Sequence, residues 1–82
     1  MTSLEMTRIV EEAADAYRRE SGDAPQLHVQ SVRQEGGWFY VAVTAEPKPE
    51  RIYPYYDHLA QVERRVREGR DVDVLLVPAR AA

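Results

Sequence analysis

A chain of 82 residues, 44% hydrophobic and 30% charged, has room for one small globular domain and is too rich in apolar residues to be a disordered segment. Its net charge of −3 argues against a general nucleic-acid binder, and the lack of cysteine removes disulfides, thiolate nucleophiles and cysteine zinc sites. Charges interrupt the first twenty residues too often for a signal peptide and no window holds the ~20 apolar residues of a membrane span, so the expectation is a soluble, cytoplasmic protein with no membrane partner.

Thr2 and Glu5, three positions apart, predict a capping box that starts a helix over about residues 3–20. Met6, Ile9, Val10, Ala13, Ala16 and Tyr17 recur at spacings of three and four and mark its core stripe. The run Ser21, Gly22, Asp23, Ala24, Pro25 ends it, because glycine accepts a left-handed cap and proline cannot continue a helix.

Residues 26–34 alternate, with Leu27 and Val29 on one face and His28, Gln30 and Val32 on the other, and lead into Gly36 and Gly37. Residues 38–45, WFYVAVTA, are dense in aromatic and β-branched types, so the two runs predict a β-hairpin. Residues 46–50, EPKPE, form a stiff polar connector.

A second helix is predicted over 54–68, with Pro54 in its first turn, Gly69 just past its end, and Tyr55 or Tyr56, Leu59, Val62 and Val66 at helical spacing. Residues 72–77 form the last strand, apolar on both faces, a pattern that places a strand inside a sheet or under a second cover. Pro78 ends it and residues 79–82 make a short tail expected to fray.

The order α-β-β-α-β predicts an α+β two-layer sandwich spanning 1–82 as a single domain, a three-stranded sheet with two helices on one face. A right-handed crossover is expected if the second helix joins parallel strands, but strand order stays open, since the last strand can pair beside either strand of the hairpin. This order is similar to that of KH-like and ribosome-associated RNA-binding domains. A KH domain carries a Gly-x-x-Gly loop that clamps the nucleic-acid backbone. None of the four glycines here has that spacing, so no family is assigned.

Phe39, Val41, Val43 and Ala45, with Val72, Val74 and Leu76, are the expected inward set. Trp38, Tyr40, Ala42 and Thr44, with Leu75, Val77 and Val32, then fall on a face that two helices cannot cover. A contiguous apolar patch holding the only tryptophan points to a protein interface, made by a homodimer or by docking on another protein, and Trp38, Tyr40, Thr44, Leu75 and Val77 are its candidate residues. The competing reading is that a register shift, a bulge at Ser31 or the connector buries Trp38 within one chain.

Two further clusters carry a nucleic-acid or acidic-partner reading: the aromatics from Tyr53 to Tyr56 beside His58, and Arg64, Arg65, Arg67 and Arg70 on the second helix. Each has a structural reading too. Tyr53 can staple the helix entry, Tyr55 or Tyr56 can enter the core, and His58 can be a solvated residue of the first turn. Glu63 can pair with Arg67, and Arg64 with Glu68, at i,i+4. No catalytic, metal-binding or cofactor-binding motif is present: His28 and His58 lie on different elements, Ser3, Ser21 and Ser31 sit at a cap, a turn and a strand, and no glycine-rich phosphate loop occurs. The expectation is a protein that is not an enzyme.

Overall fold

Thr2 and Glu5 close the capping box in both directions, at 3.1 Å each way, and start helix α1, Ser3–Ser21. The computed structural model describes residues 1–22 and 24–79, so Asp23 of the expected helix stop and residues 80–82 of the expected tail lie outside the described residues. Gly22 ends α1 at φ 78°, its N–H donating to the Arg18 carbonyl.

Strands β1, Gln26–Glu35, and β2, Trp38–Glu46, form the antiparallel hairpin, turned at Gly36 and Gly37 with φ of 56° and 87°. Both angles lie where a side chain is disfavoured, which is why two glycines occupy the turn. Helix α2, Ile52–Arg70, returns the chain to strand β3, Asp73–Pro78, which pairs parallel with β2. The sheet order is β1-β2-β3, and the last strand joins the second strand of the hairpin.

The core is one cluster between the sheet and both helices. Met6, Val10 and Ala14 come from α1, Leu59, Val62 and Val66 from α2, and Leu27, Phe39, Val41, Val43, Val74 and Leu76 from the strands. Helix α1 lies against β1, α2 against β3, and the helices touch each other. Arg65 of α2 forms an ion pair with Glu20 of α1 and lies over the Tyr17 ring, 5.7 Å from its centroid.

Four sequence expectations are corrected. Between Val29, opposite Val43, and Ser31, opposite Ala42, Gln30 is an extra residue, a β-bulge that reverses which residues of β1 face inward. Val32 therefore opposes Val41 and packs on the core instead of joining the outer face. Strand β3, apolar on both faces, is an edge strand rather than an interior one.

Helix α2 begins two residues before Pro54, which still falls in the first turn, where backbone donors have no helical acceptor. It also runs through Gly69, and Asp71 supplies the left-handed cap at φ 53° with its N–H on the Arg67 carbonyl. Short acidic side chains tolerate that region better than most, so the cap does not need the glycine.

Because Val41 is fully buried at the centre of the middle strand, Val41→Ala is expected to destabilise the fold by roughly 2–3 kcal/mol through lost burial and a residual cavity. Denaturant unfolding would show this as a lower midpoint at unchanged slope.

Candidate functional site

Side chains alternate across β2, so the residues between its core contacts point away from the helices. The pairings set Glu35, Trp38 and Asp73 in one row, Arg33, Tyr40 and Leu75 in the next, and Ser31, Ala42 and Val77 in a third. Trp38 is 38% exposed, Leu75 41% and Val77 38%. Trp38, Tyr40, Leu75 and Val77 of the expected interface set therefore share one open face over β2 and β3. Trp38 is not buried.

The flank along β1 is polar. Gln30 Nε2 donates to Thr44 Oγ1 at 3.0 Å, so Thr44 belongs to this flank more than to the apolar stripe. His28 Nε2 meets Glu46 Oε2 at 3.1 Å, Arg33 Nε meets Glu35 Oε2 at 3.2 Å, and the Arg33 guanidinium lies 5.3 Å from the Tyr40 ring centroid. Apolar surface over β2 and β3 thus runs into an ionised margin over β1.

The outer edge of β3 is guarded. The Ala79 amide donates to the Val43 carbonyl of β2, so by alternation the Val74, Leu76 and Pro78 positions turn their backbone away from β2. The Leu76 amide donates to Glu63 Oε1 of α2 at 2.8 Å, and Pro78 has no amide hydrogen. A strand seeking to extend the sheet beside β3 finds its donors largely removed. Glu63 is thereby engaged with the strand, and the expected Glu63–Arg67 pair does not form.

The basic and aromatic clusters are not brought together. Tyr53 is 84% exposed and staples nothing, while Tyr55 packs on the core and stacks on Tyr56 with centroids 6.4 Å apart. Arg65 is committed to Glu20 and Tyr17, Arg64 lies 3.9 Å from Glu68, and Arg67 and Arg70 occupy the last turn of α2, where the helix dipole favours cations.

His58 overturns the solvated reading: it is 4% exposed and stacked on Tyr17, with centroids 5.1 Å apart and planes 27° apart. Neither of its ring nitrogens has a hydrogen-bond partner among the described residues. The signal was available in the spacing, since His58, Val62 and Val66 stand four apart on one stripe. Among the described residues, no three His, Cys, Asp or Glu side chains are grouped to hold a metal ion, and no helix is long and apolar enough to cross a membrane.

Comparison with known proteins identifies no relative: no family model, curated protein or solved structure matches this chain.

Burial holds the His58 imidazole below its ordinary value of 6.5, against a smaller opposing pull from Asp57. The neutral ring is the folded form, whereas the unfolded chain takes up a proton near 6.5. Stability is therefore complete above that pH and falls as pH drops through 6.5 toward the lower folded value, by at most about 1.4 kcal/mol per pH unit from this one group. His58→Phe is expected to remove this part of the slope, as measured by urea unfolding between pH 5 and 8.

Proposed function

We propose that this protein is a non-catalytic interaction module that associates with a second copy of itself through the open face of its sheet. The observation that carries the reading is the set of rows on that face. A two-fold axis lying across the strands between Tyr40 and Ala42 sets Tyr40 against the partner's Ala42, Trp38 against the partner's Thr44, and Leu75 against the partner's Val77. Tyr40 and Trp38 then meet smaller side chains, the pattern that lets two sheets interdigitate. The same axis brings Glu35 toward the partner's His28, so the polar margins meet each other.

Size matters here. Three strands and about six residue rows give a face of roughly 15 by 20 Å. A standard interface buries about 800 Å² on each partner. The apolar stripe forms the centre of such a contact and the β1 margin its rim, and a face this small fits a dimer that dissociates on dilution. Guarding of the β3 edge by Glu63 and Pro78 favours face-to-face packing over sheet extension on that side. Nucleic-acid binding through Arg64, Arg65, Arg67 and Arg70 is the weaker alternative, because Arg65 and Arg64 already have acidic neighbours.

Light scattering over a hundredfold concentration range is expected to show a dimer that persists in high salt, since an apolar contact holds where phosphate-type binding weakens steeply. Trp38→Ser with Tyr40→Ser is expected to give a folded monomer. A wild-type monomer at every concentration would refute self-association, and a double variant that fails to fold would place both side chains in the core instead.

A further inference from the structure

The C-terminal turn of α1, the connector 47–51 and the first turns of α2 line a cleft of about 650 Å³. That volume lies within the range of small-molecule sites, roughly 300–1,000 Å³. Pro25, Pro47, Pro49 and Pro54 contribute to its walls, with the rings of Tyr17 and Tyr55. Proline offers no N–H and little freedom to collapse, so these walls are apolar and stiff. Tyr17 is further held by the His58 stack and by Arg65, itself tied to Glu20.

His58 also lines this cleft, nearly fully buried and with both ring nitrogens lacking a partner among the described residues. A buried imidazole without hydrogen bonds costs folding free energy unless something else meets it.

Lys48 and Arg51 line the cleft with Glu50, the one acid in its lining among the described residues. Helix α2 starts beside them with no side-chain cap and no acidic residue in its first turn, so its first amides point outward with the positive end of the helix dipole unneutralised. Helix α1 has both, in Thr2 and Glu5.

We propose that this cleft binds a small organic anion with a flat apolar body, of the class of aromatic carboxylates. The apolar body lies between the tyrosines and the prolines. The carboxylate sits at the start of α2 near Arg51 and Lys48, and the buried His58 ring backs the Tyr17 wall. This site shares no residue with the proposed dimer face, so either can fail without the other.

The test is a titration of the 15N-labelled full chain with benzoate, 2-naphthoate and indole-3-acetate, each matched against its neutral amide. Saturable shifts are expected at Tyr17, Ser21, Tyr55 and His58, with each amide about tenfold weaker for want of charge-assisted hydrogen bonds. Lys48→Gln with Arg51→Gln, both outside the core, is expected to erase the preference for the carboxylate while the fold persists. No saturable shift with any of the three carboxylates, equal binding of acid and amide, or shifts centred on Trp38 would each overturn the proposal.

Discussion

The register of β2 is the constraint on which the remaining structure depends. Among the described residues it is the only strand paired on both sides, antiparallel to β1 and parallel to β3. Its inward residues Phe39, Val41 and Val43 meet both helices through a single core. A slip of one position would exchange that set for Trp38, Tyr40 and Ala42 and send the valines into solvent. The turn glycines, Gly36 and Gly37, and the full burial of Val41 and Val43 hold the register from the turn end and from the middle.

From that register follow two surfaces of opposite character. The outer face is broad, shallow and apolar over β2 and β3, with ion pairs along β1. The cleft beside α2 is walled by proline and tyrosine and lined by Lys48 and Arg51 next to an uncapped helix start. A shallow apolar face suits a partner that brings matching relief, while a cleft walled by rings and flanked by cations suits a small anion with an apolar body. Their separation follows from the two-layer design, since the helices close one side of the sheet and leave the other open.

Small devices keep these surfaces distinct. The extra residue at Gln30 turns Val32 into the core, so the outer face of β1 stays polar and the apolar stripe is limited to two strands. Glu63 takes the Leu76 amide and leaves Leu75 and Val77 to act through their side chains rather than through a bare strand edge. The Glu20–Arg65 pair spans the two helices beside Tyr17, at one wall of the cleft. An exposed pair of this kind adds little stability, but it can set where a ring stands.

Local chemistry was legible in the sequence wherever a short segment carried its own instruction. The capping box, the glycine turn, the place of Pro54 in the first turn of α2 and the alternation of β2 each arise from contacts between near neighbours, and with them the order α-β-β-α-β and the outward placement of Trp38, Tyr40, Leu75 and Val77. Sequence alone did not decide the position of β3, the inward turn of Val32 or the burial of His58. An apolar strand reads the same at an edge as in the interior, a bulge is set by what its partner strand requires, and a histidine is buried only when a ring from another helix, here Tyr17, arrives to cover it. These depend on contacts between residues far apart in the chain, which exist only once the sheet and helices have closed on one another.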